Sequence, residues 1–388
     1  MTSNKLNVKA LSLFSNVGIA ETYFSSVGVD VVLANELLED RAKFYTHLYP
    51  NTKMICGDIT NPIIFNEILE QAKNLSIDML VATPPCQGMS CAGKKDPLDP
   101  RNNLITYAVE LIKLLKPRFV ILENVPMQMH TKINYNETQT LIPDYVFAEL
   151  SRLYNFNENP VVNTKDYRIP QSRQRYIYLL TRKDTKLMWE FPPPENQVLT
   201  LRDSIAHLPS LDPLLREETE RWRFPDFEKK AKLALDVSKW HFPPVHSWKQ
   251  VEWMMHTPSG KSAFSNQYYY PKKDNRKIKG APRTYMRMDW DKPATTVMQN
   301  SGVISTFSTV HPGRLLSCGE TEHELVYSDA RTLTIYELLI ISSLPSNWNI
   351  PEWASEILIR KVIGEGIPPK LILYALENLI MSKKVCSL

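Results

Sequence analysis

The chain has 388 residues, 43% of them hydrophobic and 23% charged. That is enough apolar content for one large domain plus a smaller one, and too much for wholesale disorder. No apolar run approaches the roughly 18–20 residues that cross a bilayer, and the first ten residues lack the basic-then-apolar pattern of a secretory signal, so a soluble, cytoplasmic protein with no membrane association is expected. The net charge of +4 permits nucleic-acid binding without calling for it.

The first half alternates short apolar runs with amphipathic stretches. Residues 8–14, 30–35, 53–56, 77–82 and 118–123 read as near-continuous apolar strands, and residues 40–48, 62–74 and 104–115 have helical spacing. A helix is also expected from about Ile19, and a further strand pair at 160–163 and 175–181. Strand–helix alternation of this kind implies an α/β fold, a doubly wound, mostly parallel sheet with helices on both faces. From 185 to 330 the chain is rich in Pro, Trp and Tyr and its periodicity is irregular; regular helices return at 334–343 and 369–382. The predicted organisation is a catalytic domain at 1–184, completed by 362–388, and a smaller irregular domain with a hinge at 185–361.

After the first strand comes Phe14-Ser15-Asn16-Val17-Gly18, a tight turn that brings backbone amides to the carboxyl ends of the strands, where nucleotide cofactors bind. Only one glycine of the usual set is present, but asparagine takes positive φ at lower cost than most residues, so Asn16 can replace another. Glu36 lies 18 positions after Gly18, at the end of the next strand, where an acid is placed to bind ribose hydroxyls. Asp58 follows the third strand and can accept from an adenine amino group. Each acid alone reads as an exposed strand-end charge. Three such features at successive strand ends favour a nucleoside cofactor.

The five cysteines are Cys56, Cys86, Cys91, Cys318 and Cys386; none shows C-x-x-C spacing and no histidine pair completes a zinc pattern, so no metal is expected. A lone cysteine is by default a small buried apolar residue. Cys86 departs from that default by context: a strand runs into Thr83-Pro84-Pro85-Cys86-Gln87-Gly88, where the prolines stiffen the backbone and the glycine lets it turn away. Glu123-Asn124-Val125 ends the next strand, and Gln171-Ser172-Arg173-Gln174-Arg175 enters another, with alternation placing Gln171, Arg173 and Arg175 on one face. A thiol, a carboxyl group and two guanidinium groups at neighbouring strand ends suit nucleophilic attack on an electron-poor ring, because arginines favour a thiolate and a developing oxyanion.

Pro85-Cys86-Gln87, Glu123-Asn124-Val125 and Gln171-x-Arg173-x-Arg175, in this order, resemble the cytosine-5 DNA methyltransferase family of prokaryotic restriction–modification type. Arg331-Thr332-Leu333-Thr334-x-x-Glu337 and residues 363–369 resemble its C-terminal motifs, and the likeness runs from about residue 10 to 380. The resemblance implies a Rossmann-like, S-adenosylmethionine-dependent fold and double-stranded DNA as substrate. It also implies base flipping, a monomer on DNA, and a cognate restriction endonuclease that acts separately. By the same resemblance Cys86 attacks carbon 6 of the flipped cytosine, Glu123 donates to ring nitrogen 3, Arg175 contacts the exocyclic oxygen, and Arg173 lies at the thiolate. The implied cofactor residues are Phe14, Asn16, Val17, Gly18, Ile19, Glu36, Leu37, Asp58, Ile59, Pro85, Leu104, Glu365 and Gly366. The chain departs from the family at Asn16 and Ile19, where glycines are usual, and at Glu365-Gly366, where Asn-Ser or Asn-Ala is usual.

A loop over 91–103, with Lys94 and Arg101, is expected to close on DNA, and Gln87 and Ser90 just before it are expected contacts too. Within 261–292 there are nine Lys or Arg against three Asp or Glu, interleaved with tyrosines, which fits a DNA-facing surface through Lys272, Lys273, Arg276, Arg283 and Arg287. Trp222, Trp240, Trp248 and Trp253 read as core. An RNA cytosine-5 methyltransferase is disfavoured by the large irregular middle domain, and an inactive DNA-binding homologue by the presence of both Cys86 and Glu123.

Overall fold

Apolar runs with no polar face need cover on both sides, and the runs of the first half obtain it as strands of one sheet with helices packed over it. In the computed structural model, residues 5–85, 100–281, 283–317 and 324–385 are described. The first elements are β1 (Val8–Leu13), β2 (Val29–Glu36), α1 (Glu39–Leu48), β3 (Lys53–Cys56), α2 (Pro62–Leu75), β4 (Met79–Ala82), α3 (Leu104–Leu115) and β5 (Phe119–Asn124). A hairpin of β6 (Lys132–Tyr135) and β7 (Thr138–Leu141), α4 (Ile142–Leu150), β8 (Tyr154–Phe156), β9 (Val161–Asn163) and β10 (Gln174–Arg182) follow.

The sheet order is β3-β2-β1-β4-β5-β10-β8, with β9 also on β10. The pairs among β1 to β5 are parallel, and those made by β10 are antiparallel. The chain leaves β1 toward β2 and β3 on one side, then returns to lay β4 on the other. The switch point therefore falls between β1 and β4, and ligands bind outside the carboxyl ends of strands at such a point. Every residue of β4 is buried, and α3 turns Ile105, Ala108, Val109 and Ile112 into the same core. Asn61 caps α2, its side chain accepting from the Ile63 amide at 2.9 Å.

The helix expected from Ile19 is absent. Residues 18–24 wind with i→i+3 bonds (Glu21 to Gly18, Thr22 to Ile19, Phe24 to Glu21), and a 3₁₀ turn at Phe24–Val27 ends at Gly28 with φ +79°. The reason is packing: Val17, Ile19, Glu21, Phe24 and Val27 all point inward, more than one α-helical stripe accommodates.

The rest of the chain forms α5 (Leu201–Ile205), β11 (Leu214–Leu215), α6 (Phe227–Val237), β12 (Val245–His246), α7 (Trp248–Met255), β13 (Lys272–Lys273), β14 (Arg276–Lys277), β15 (Leu315–Ser317), β16 (Val326–Tyr327), α8 (Ile335–Ile341), α9 (Glu356–Glu365) and α10 (Pro369–Val385). Two compact units result. The first draws on residues up to 163, on 174–194 and on 369 onward; the second on 164–173 and 195–368. The boundaries thus differ from those read at 184 and 361. Residues 185–194 stay with the first unit because the buried Trp189 indole donates to the Ala375 carbonyl of α10 at 2.7 Å. Residues 164–173 join the second, where Ser172 N donates to Ala294 O at 2.7 Å and Ala294 N to Pro170 O at 2.9 Å.

The second unit has little regular structure but a charged centre. Arg331, fully buried, donates to Glu337 through both terminal nitrogens at 2.8 and 2.9 Å and to Asp329 at 2.9 Å. Burial alone would raise the Glu337 carboxyl, but Arg331 outweighs it and holds it down at about 2. Glu337 also closes a capping box: it accepts from the Thr334 amide, and its own amide donates to the Thr334 hydroxyl. This Thr-x-x-Glu signature was visible in the sequence; its buried arginine partner gives the same acid a second task.

Candidate active site

The cofactor end lies in the first unit, beyond the carboxyl ends of β1, β2 and β3. Phe14, Asn16 and Gly18 all have positive φ (56°, 50° and 76°), so the backbone folds tightly there even though only one of the three is glycine. Glu36 is buried at the end of β2; its Oε2 accepts from the Asn16 amide at 2.8 Å and its Oε1 from the Leu38 amide at 3.0 Å. Burial raises the Glu36 carboxyl, and these backbone donors oppose the shift. Asp58 is exposed beyond β3, and its Oδ1 accepts from the Thr60 amide at 2.9 Å.

These groups fit a nucleoside. A carboxylate has about four lone-pair positions, so Glu36 can hold its two amides and still accept from ribose hydroxyls. The other expected cofactor residues divide by exposure. Val17, Ile19 and Ile59 have buried side chains and present only backbone; Leu37 is exposed; Pro85 and Leu104 are half-buried. Gly18 is needed for a second reason besides its positive φ. A Cβ there would lie 2.3 Å from the Tyr49 ring, so the close approach is to this chain's own tyrosine. Glu365 and Gly366 are in the second unit, at the end of α9.

Of the catalytic set, Cys86 lies outside the described residues, as do Gln87, Ser90 and Lys94; so does the Arg101 side chain. The chain leading to Cys86 is anchored twice. The Thr83 hydroxyl donates to Phe14 O at 3.0 Å, and Asn124 Nδ2 donates to Pro84 O at 3.3 Å. Sequence reasoning gave Asn124 no role; here it joins the end of β5 to the end of β4. Asn35, equally unassigned, is buried and donates to Ile55 O and Gly57 O at 2.9 and 3.0 Å, holding the turn before Asp58.

Glu123 and Arg175 meet across the β5–β10 ladder, with Arg175 Nε 2.7 Å from Glu123 Oε1 and both side chains largely buried. Arg175 also donates to Gln174 O at 2.7 Å. Gln171 and Arg173 do not share a strand face with Arg175; they belong to the second unit. Arg173 Nη1 donates to Val297 O at 2.9 Å, and Nη2 to Gly364 O and Glu365 O at 2.8 and 3.2 Å. The last carbonyls of a helix have no intrahelical partner, and a buried guanidinium at the end of α9 satisfies them. Both terminal nitrogens of Arg173 thus serve backbone carbonyls; Cys86, the group its expected place refers to, lies outside the described residues. Gln171 Nε2 reaches Ile341 O and Ser342 Oγ at 3.4 and 3.3 Å.

In the second unit, Lys273, Arg276 and Arg283 are exposed and Lys272 half-buried. Arg287 is not a DNA contact. It is fully buried and donates to the carbonyls of Met254, His311, Ser328 and Asp329. The tryptophan reading is corrected at Trp222, which is 70% exposed, with the Arg223 guanidinium 4.6 Å from its ring centroid and 4.2 Å from that of Trp248. Trp253 is buried, and Trp240 and Trp248 are half-buried.

Among the described residues no helix is long and apolar enough to cross a membrane. A family profile described as C-5 cytosine-specific DNA methylase matches residues 8–381. The type II methyltransferase M1.HgaI of Avibacterium volantium is 41% identical over 374 residues, 95% of this chain and 97% of that protein. M1.HphI of Haemophilus parahaemolyticus is 25% identical, covering 94% of this chain and 85% of that one. Among solved structures, a putative DNA modification methyltransferase encoded within an Escherichia coli prophage superposes with a TM-score of 0.65 at 20% identity, covering 97% of this chain and 99% of that one. With the family profile spanning nearly the whole chain, a relative 41% identical over almost its full length and the fold agreeing, this chain belongs to the C-5 cytosine-specific DNA methylase family and is an S-adenosylmethionine-dependent DNA cytosine-5 methyltransferase.

Proposed function

We propose that the protein methylates carbon 5 of a cytosine turned out of duplex DNA, at a specific sequence, through a covalent bond from Cys86, as the modification partner of a separately acting restriction endonuclease. The observation that carries the residue assignment is the buried Glu123–Arg175 pair, one strand from the β4 end, with Asn124 gripping the Pro84 carbonyl two positions before Cys86. The Cys86 thiolate attacks carbon 6, which requires the base out of the stack. Glu123 donates a proton to ring nitrogen 3 as negative charge develops on the ring. Arg175 fixes the Glu123 carboxyl group for this task and faces the exocyclic oxygen. S-adenosylmethionine, held by residues 14–18, Glu36 and Asp58, supplies an electrophilic methyl group. Methyl transfer leaves the cofactor's neutral thioether; the carbon 5 proton then passes to a base or water, the Cys86 thiolate departs, and nitrogen 3 returns its proton to Glu123, restoring the aromatic ring.

The second unit serves as the target-recognition domain, with its exposed basic residues on phosphates and base edges. The enzyme works as a monomer in the cytoplasm, on the nucleoid. Bisulfite sequencing of DNA from cells expressing the protein tests activity and target together. Wild type is expected to protect one short cytosine-containing sequence, and Cys86→Ser to protect none while still binding that duplex. Protection by the serine variant near the wild-type level would remove Cys86 from the chemistry.

A further inference from the structure

The buried acid Glu21 is used by nothing described so far. Its side chain is 3% exposed, and its two oxygens accept from the hydroxyls of Ser12, on β1, and Tyr45, on α1. Among the described residues its partners include no cation. A carboxylate enclosed without one is costly, and burial pushes the group up to about 7 despite the two hydroxyl donors.

The contacts beyond Glu21 lead to one place. Ser12 lies two residues before Phe14. The Tyr45 ring packs on Tyr49 at 4.8 Å between centroids, and the Tyr49 hydroxyl donates to the Gly18 carbonyl at 2.7 Å. The Glu21 amide donates to that same carbonyl at 3.2 Å, and the Gly18 amide closes back on Ser15 O at 2.8 Å. The turn that carries Asn16 and Ile19 in place of glycines is therefore gripped from behind by side chains.

We propose that Glu21 is a positioning residue for the cofactor end: through Ser12 on one side and Tyr45 and Tyr49 on the other, it sets the shape of residues 14–18, and the proposal rests on reading those residues as the S-adenosylmethionine site. Glu21 touches no substrate. It acts by holding the backbone that does, and an amide of the same shape keeps an acceptor for one hydroxyl and offers a donor to the other, so it should replace the acid.

The test is calorimetric titration of S-adenosylmethionine, beside cognate-duplex binding, for Glu21→Ala, Glu21→Gln, Tyr49→Phe and Glu36→Ala in the full chain. Glu21→Ala is expected to weaken cofactor binding about tenfold and Tyr49→Phe several-fold, with duplex affinity unchanged, while Glu21→Gln restores affinity to within about threefold of wild type. A folded Glu21→Ala with wild-type cofactor affinity overturns the proposal, and if that variant does not fold, unchanged affinity in Tyr49→Phe does so instead. Glu36→Ala separates the two readings. If it weakens binding while the Glu21 and Tyr49 variants do not, only the positioning role fails; if it too is without effect, the cofactor site itself has been misplaced.

Discussion

Arg276 and Arg287 look interchangeable in a basic run, yet one is exposed and the other fully buried among four carbonyl acceptors. Removing a buried guanidinium leaves those carbonyls unsatisfied, so Arg287→Ala is expected to lower stability by about 3–5 kcal/mol in urea unfolding. Arg276→Ala should leave stability within about 0.5 kcal/mol of wild type and cost about 1–3 kcal/mol of binding on the cognate duplex only. Equal stability of the two variants would contradict this division. The sequence held a partial sign of it, since Arg287 sits between Met286 and Met288 beside Tyr285, an apolar neighbourhood unlike that of Arg276. Its acceptors come from residues 254, 311, 328 and 329, and such distant partners have no local signature. The same limit hid Glu21, Asn35 and Asn124, whose roles depend on which strand ends become neighbours.

The elements legible in the sequence were those whose own composition decides them. The parallel strands are near-continuous apolar runs, and α2 and α3 carry clear helical spacing. The β6–β7 hairpin was not legible because its turn residues with positive φ are Asn136 and Glu137, without the glycine that marks such turns. The β13–β14 hairpin has the same geometry at Asp274 and Asn275, on strands of two residues each. Within it, Lys277 Nζ donates to Phe264 O at 3.0 Å, and Lys272 Nζ lies 5.3 Å from the Tyr270 ring centroid, so these two lysines are tied back to their own domain. Lys273 and Arg276 carry the outward charge. Lys273→Ala is therefore expected to weaken binding to cognate and scrambled duplexes alike and to reduce the slope of log affinity against log salt by about one. Lys277→Ala should change that slope less. A larger slope change for Lys277 than for Lys273 would show that the hairpin meets DNA by its other side.

For the whole molecule, pH sets buried groups of opposite sense against each other. Burial holds His246 at about 3 and His311 at about 4, so below about pH 6.5 the unfolded chain binds more protons and stability is lost as pH falls. Glu21 works the other way: raised to about 7, it contributes stability below its unfolded value that is lost as pH rises through that range. Each group is worth about 1.4 kcal/mol per pH unit while it titrates. Glu21→Gln should gain stability relative to wild type between pH 5 and 8, because Tyr45 and Tyr49, the titratable groups packed around it, are raised by burial and stay neutral there. Parallel melting curves for the two proteins would mean that Glu21 does not titrate in this range. Activity, however, turns on one bond. Fluorine at carbon 5 of the target cytosine cannot leave as a proton does, so a duplex carrying 5-fluorocytosine should halt the enzyme, with S-adenosylmethionine present, as an adduct that survives denaturation. Mass spectrometry of the digested adduct is expected to find the methylated base on the peptide containing Cys86, and Cys86→Ser to give no adduct; a base attached to any other residue, or methylation of ordinary duplex by an enzyme that never forms the adduct, would contradict the covalent route.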